Sequence, residues 1–115
     1  MRAAEGAIEV VRVRDDAIEL EVIGEVEPVG MCGSGLVDAV AELVGAGLLD
    51  LSGRFVPNEI AAQIAPALSR RLLAREDEER IFVLHWQGEE GDIENAVYLS
   101  QRDVRELQFA KAAIS

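Results

Sequence analysis

Gly30-Met31-Cys32-Gly33-Ser34-Gly35 sets three glycines and a serine directly ahead of an apolar-periodic stretch, and no other segment constrains the fold as strongly. Leu36, Val37, Val40, Leu43 and Val44 fall at i, i+1, i+4, i+7 and i+8, the single stripe of an amphipathic helix. The spacing predicts a helix over 35–46, with Ser34 as N-cap and Gly47 as its left-handed stop. The first amides of such a helix, at Gly35, Leu36 and Val37, have no partner within it, and the positive end of its dipole faces outward. Residues without a Cβ let another group come close to that backbone. Gly33, Ser34 and Gly35 are therefore candidate binding residues for an anion or a ribose hydroxyl. Asp38, one turn in, opposes a phosphate but suits a sugar hydroxyl or a metal-bound water. The same glycines serve equally in a tight loop-to-helix join that holds nothing. The block has neither the lysine of a P-loop nor the third glycine of a dinucleotide fingerprint.

Upstream, residues 7–14 are rich in β-branched side chains, and 17–23 alternate with Ile18, Leu20 and Val22 on one face. Arg14-Asp15-Asp16 between them is a turn signal, so an antiparallel hairpin is expected. Apolar parity slips from Ile8/Val10 to Val11/Val13, the mark of a bulge. Residues 24–28 form a loop feeding the glycine block. Downstream, Ser52-Gly53 marks a turn. Ile60, Ile64, Leu68 and Leu72 recur every four residues after a capping Asn58, and Pro66 interrupts them. Two short helices or one kinked helix are expected there. The charged run 75–80 reads as a solvated helix end or loop. Residues 81–86 and 96–99 read as paired strands around an acidic loop over 87–94. Ser100 caps a last helix whose stripe is Val104, Leu107, Ala110 and Ile114. That stripe is still in pattern at Ser115, so the chain is expected to be an interior piece of a larger domain.

Together these elements give an α+β fold. It comprises a small, mostly antiparallel sheet or hairpins with three to four helices on one face, a single unit over residues 1–115. Half the residues are apolar and only 4% are aromatic, so the core is aliphatic. A formal net charge of −11 sets the chain against DNA, RNA and anionic lipid, and no nucleic-acid or membrane partner is expected. No apolar run reaches the roughly 18 residues of a membrane span. The first residues lack the apolar core of a signal peptide, and one cysteine makes no internal disulfide, so the expected address is cytoplasmic.

Other chemistry-bearing residues are sparse. Cys32 lies just ahead of a helix N-terminus, where the dipole favours a thiolate, yet it also fits as a small filler. His85 falls in a strand, in step with Ile81 and Val83, with no second histidine to share a metal. A hydrogen-bonded or exposed strand histidine is expected, and Trp86 beside it is expected to be a packing residue. Glu89, Glu90, Asp92 and Glu94 cluster in a turn but lack the order of a calcium loop, which leaves a solvated loop. Gln101-Arg102-Asp103 suits capping and dipole chemistry. No catalytic or metal residue is expected within the chain.

Three blocks, in order, resemble one family. Met1-Arg2-Ala3-Ala4-Glu5-Gly6-Ala7-Ile8-Glu9 is similar to a Gly-Met-Arg-Ala-x-x-Gly-Ala-Ile-Glu block. Gly30-Met31-Cys32-Gly33-Ser34-Gly35-Leu36-Val37-Asp38 is similar to Gly-Ile-Cys-Gly-Ser-Gly-Leu-Ile-Asp. Gln101-Arg102-Asp103-Val104-Arg105-Glu106, continuing to Ala110-Lys111-Ala112-Ala113-Ile114, is similar to a Gln-x-Asp-Ile-Arg-Glu…Ala-Lys-Ala-Ala-Ile block. All three resemble reductive activators of corrinoid proteins, ferredoxin-linked ATPases of the acetate and sugar kinase, heat-shock chaperone and actin (ASKHA) superfamily. Residues 57–95 add little to the likeness.

The resemblance implies a larger parent. A ferredoxin domain there carries a two-iron two-sulfur cluster, and an actin-like ATPase domain binds ATP with magnesium. Asp-Gly phosphate loops and a Gly-Gly adenosine motif belong to that domain, and this chain contains neither. The resemblance thus places residues 1–115 between the second phosphate loop and the adenosine motif. It implies that Gly33, Ser34, Gly35 and Asp38 line the nucleotide cleft without performing catalysis. It also implies a corrinoid protein as partner and an isolated piece without ATPase activity, while the apolar stripe of the last helix and the apolar face of the hairpin, left without a partner, lead to the expectation of a homodimer. Related dehydratase activators hold a cluster through a Cys-Ala-Ala-Gly motif, but the residues after Cys32 differ and that role does not transfer. The alternative is a non-catalytic docking or dimerisation module of a ferredoxin-like iron–sulfur protein.

Overall fold

A computed structural model describes residues 5–14 and 16–114, the side chains of 25 and 108–114 excepted. The opening 1–4 of the first resemblance block, and the positions Ala110 and Ile114 of the last stripe, lie outside what is described of structure or side chain. The expected hairpin is present: β1 (Ala7–Arg14) pairs antiparallel with β2 (Ala17–Val22), with the anticipated irregularity between Ile8 and Val10. Asp16 turns the chain with a positive φ of 67°. Its carboxylate then accepts the amides of Ala67 and Leu68, which pins the hairpin tip to a distant helix.

A loop with a short 3-10 turn (Ile23–Glu25) swings the chain back, and β3 (Gly30–Met31) lies parallel to β1, giving the sheet order β2-β1-β3. Next comes α1 (Gly33–Ala46), stopped by Gly47 in the left-handed region (φ 85°). The amides of Gly47 and Leu48 bond back to Val44 O and Leu43 O, closing the helix end as expected of that glycine. α1 runs beside β1. Ser34 Oγ donates to Glu9 O (3.2 Å), and Glu42 Oε1 accepts from Val13 N (2.7 Å). Two helix side chains thus satisfy backbone groups that a further strand would otherwise take.

The 57–79 region divides into α2 (Asn58–Ile64), α3 (Pro66–Ser69) and a strand, β4 (Leu72–Ala74). Pro66 separates the two short helices, one of the two expected outcomes. The four-residue repeat misleads in two respects. Leu72 belongs to β4, and Ile60 and Ile64 are 42% and 48% exposed while Ala61, Ala65 and Leu68 are buried. Asn58 does not cap. Pro57 holds the N-cap position, and Asn58 Nδ2 donates to Leu72 O (2.8 Å) instead.

The second sheet has the order β4-β5-β6, all antiparallel, with β5 (Arg80–Trp86) central and β6 (Ala96–Ser100) at its side. Ile81, Phe82, Val83 and Leu84 are all buried, so β5 is covered on both faces. A bulge between Val83 and His85 takes His85 out of step with Ile81 and Val83, contrary to the expected register. Arg71 supports that bulge: its Nη1 donates to Val83 O (3.1 Å) and Leu84 O (3.0 Å). The charged run 75–80 takes the loop form of the two expected outcomes, with 75–78 exposed. It turns between β4 and β5, and Arg80 reaches inward to Phe55 O (2.7 Å), Val56 O (2.8 Å) and Asn58 Oδ1 (3.1 Å).

The last helix, α4 (Gln101–Ile114), opens with a reciprocal box. Asp103 N donates to Ser100 Oγ and Ser100 N donates to Asp103 Oδ2, each at 3.0 Å. Gln101 departs from the capping expectation. Its side chain grips the 53–55 turn, accepting from Phe55 N (3.1 Å) and donating to Gly53 O. One core joins the two sheets, with Ile8, Val11, Ala39 and Leu43 in contact with the cluster that holds Phe82, Leu84, Val97, Leu99 and Val104. The fold is α+β, two small and mostly antiparallel sheets with four helices. Among the described residues no helix is long and apolar enough to cross a membrane.

Candidate functional site

The start of α1 differs from the sequence expectation in a way that changes the site. The helix begins at Gly33, two residues early, with Cys32 in the N-cap position and no side-chain cap hydrogen bond. Ser34 is not the cap, because its hydroxyl is drawn to Glu9 O on β1. Leu36 N is not free either; it donates to Cys32 O (3.0 Å) and closes the first turn. Gly33 and Ser34 remain exposed. Gly35 is buried, and a Cβ there would lie 2.0 Å from Ile8 O. Only glycine permits this helix to approach β1 so closely. Asp38 is half-buried further along α1.

Cys32 is the most perturbed group at this end. Its amide donates to Ile8 O (3.1 Å), its thiol donates to the same oxygen (3.3 Å), and Ser34 Oγ lies 3.1 Å from the sulfur. The Ser34 hydroxyl, with the Gly35 and Ser34 amides, holds the thiol below its usual pKa, against the opposing effects of burial and Glu9. The Ser34 hydroxyl thus lies within reach of both the Cys32 sulfur and Glu9 O.

An open cleft of about 490 Å³ lies beside this helix start. One wall is Val29, Gly30, Met31, Cys32, Gly33 and Leu36; the other is Glu94, Ala96, Val97, Tyr98 and Asp103. Of the four residues marked in the sequence as binding candidates, Gly33 lines the cleft, whereas Ser34, Gly35 and Asp38 do not. Nothing in the sequence pattern points to the opposite wall. The capping box locates Asp103 at a helix start, but no local pattern says that this start faces α1. Glu94 and Asp103 bring acidic residues to the cleft, and among the described residues no Lys or Arg lines it. Such a wall repels a phosphate and accepts hydrogen bonds from hydroxyls.

His85 hydrogen-bonds Glu27 Oε1 at 3.3 Å, a partner distant in sequence. Gln87 Nε2 donates to Pro28 O (2.9 Å) close by. The two contacts tie β5 to the loop that delivers the glycine block. In the acidic turn, Asp92 accepts from Asn95 Nδ2 (2.8 Å), and among the described residues no His, Cys, Asp and Glu side chains gather as a metal site.

Comparison with known proteins agrees with this architecture. Residues 1–115 match the family described as the C-terminal domain of RACo, the ASKHA domain. The corrinoid activation enzyme RamQ of Eubacterium limosum is 39% identical over 114 residues, 99% of this chain and 19% of that protein. A solved structure titled reductive activator for corrinoid, iron–sulfur protein superposes with a TM-score of 0.78 at 35% identity, over 99% of this chain and 17% of that one. The chain thus spans under a fifth of the length of either relative. With its full length matched and its fold shared, the chain belongs to the family of RACo C-terminal ASKHA domains.

Proposed function

We propose that this chain is the stretch of an ASKHA domain between the second phosphate loop and the adenosine motif, and that it forms one wall of the nucleotide cleft in an ATP-dependent reductive activator of corrinoid proteins. The observation that carries this is the exposed start of α1, where Gly33 lines the 490 Å³ cleft. The carboxylates of Glu94 and Asp103 fit the sugar hydroxyls of ATP better than its phosphates. The grip on magnesium and the β- and γ-phosphates then falls to residues outside this chain. One cysteine cannot supply the four thiolates of a two-iron two-sulfur cluster, so any such cluster belongs to a separate ferredoxin domain. Closure of the cleft on nucleotide would bias the conformation in which that cluster meets the corrinoid.

Two titrations with ATP–Mg²⁺ test this. The 115-residue chain alone gives no saturable heat below about 1 mM. In the full-length protein, Gly33→Leu weakens ATP at least about tenfold. A Cβ at Gly33 meets nothing within 4 Å, so the substitution starts from open space, and circular dichroism checks that the variant is folded. Micromolar binding by the chain alone, or unchanged affinity in the variant, overturns the proposal.

A docking or dimerisation role is favoured by one observation, the exposure of Ile60 and Ile64 one turn apart on α2. Sedimentation of the chain decides it: a dimer that Ile60→Glu dissociates supports the role, and a monomer at high concentration removes it.

A further inference from the structure

Away from the glycine block, a second surface gathers positive charge in a chain whose formal charge is −11. Four of its 11 Lys and Arg residues, namely Arg54, Arg80, Arg102 and Arg105, line one open cleft of about 560 Å³. Arg80 forms a fixed cation there, its guanidinium committed to Phe55 O, Val56 O and Asn58 Oδ1, with no carboxylate in contact among the described residues. Burial lowers its pKa, and Glu59 opposes that from a distance. Arg54 and Arg105 are exposed. Among the described residues neither side chain enters a hydrogen bond or an ion pair, although Arg54 acts through space on Asp50. The Arg102 side chain pairs with Glu106 at 3.8 Å with both ends largely in water, a contact of little strength.

Three carboxylates share the lining, and two are already engaged. Asp77 Oδ1 accepts the Glu79 amide (3.1 Å). Glu79 accepts the Arg102 amide (3.1 Å) and faces Arg75 at 4.0 Å. The guanidinium groups are therefore the freer partners in this cleft.

We propose that the cleft docks an acidic peptide segment of a protein partner, whose carboxylates pair with Arg54, Arg102 and Arg105 beside the fixed charge of Arg80. A planar guanidinium matches a carboxylate in two parallel hydrogen bonds. A free phosphate fits less well, because Asp77, Glu78 and Glu79 repel a compact dianion. A peptide brings backbone amides to those acids along with its own carboxylates. This surface is separate from the Gly33 cleft, and either proposal stands or falls without the other.

The probe is a fluorescein-labelled oligoglutamate peptide, followed by anisotropy against the full chain. Binding saturates and weakens about tenfold when salt rises from about 20 to about 200 mM. Arg54→Gln/Arg105→Gln weakens it about fivefold or more. Arg12→Gln/Arg14→Gln, on the exposed face of β1, removes the same charge elsewhere and changes binding less than about twofold. Circular dichroism checks the fold, and if the double variant unfolds, Arg105→Gln alone carries the comparison. Inorganic phosphate at matched ionic strength leaves the peptide bound. Absence of saturable binding, equal loss in both double variants, or displacement by phosphate overturns the proposal.

Discussion

Cys32 is the chain's one thiol, so its protonation can be followed without interference. The Ser34 hydroxyl is the largest contribution holding its pKa down. The rate of iodoacetamide alkylation against pH therefore has its midpoint below that of a free thiol, and Ser34→Ala raises it. An unshifted midpoint in Ser34→Ala would show that the amides alone set it. Stability follows the same linkage. Between the folded and unfolded pKa values only the unfolded chain keeps the proton, so unfolding free energy rises with pH across that window. The gain is complete above the unfolded value and lost as pH falls through the folded one, and Cys32→Ala removes this part of the slope. Gly35 and Gly45, on the same helix, should respond oppositely to alanine. At Gly35 the Cβ meets Ile8 O at 2.0 Å, and the clash costs about 1–3 kcal/mol or more. At Gly45 nothing lies within 4 Å, and the better helix former adds up to about 1 kcal/mol. Urea midpoints moving in the same direction would contradict the close approach of α1 to β1.

At the scale of elements, side chains that satisfy backbone groups fix the ends and bends. Arg71→Met leaves the carbonyls of Val83 and Leu84 without their guanidinium partner at the β5 bulge. It should cost about 1–3 kcal/mol in urea unfolding, and a neutral result would mean that water replaces the guanidinium. Ser100→Ala breaks the α4 capping box and should cost about 1 kcal/mol. What was legible in the sequence follows the same division. The β1–β2 hairpin, its bulge, Gly47 and Ser100 carry local signals, and each is where the pattern put it. β3 and β4 have two and three residues, too few for any period to show, and exist because Ala7–Ile8 and Phe82 lie beside them. Ser34 has every feature of an N-cap, but the unpaired Glu9 carbonyl on β1 takes its hydroxyl. The glycine-bearing wall of the cleft was visible for the same local reason. Glu94 and Tyr98 face it from about sixty residues away in sequence, and only tertiary packing brings them there.

The molecule as a whole is two three-stranded sheets sharing one apolar cluster. Leu43 enters that cluster from α1, beside the first sheet, whereas Leu84, Val97 and Leu99 enter it from the second. Polar ties run the same way: His85 to Glu27, Gln87 to Pro28 O, and Asp16 to the start of α3. A chain built so should unfold as one unit rather than sheet by sheet. Trp86, the only tryptophan, lies on β5 and reports the second sheet alone, while far-ultraviolet circular dichroism reports the whole chain. Leu43→Ala removes a fully buried side chain of α1, an element beside the first sheet, and should cost about 2–5 kcal/mol. If the two sheets are coupled, the tryptophan midpoint in urea falls together with the dichroism midpoint, by equal amounts. Should Trp86 hold its wild-type midpoint while the dichroism shifts, the sheets are separate folding units. The cleft between β3 and β6 would then have walls free to move apart, and the geometry at Gly33 would depend on what else in the protein holds them together.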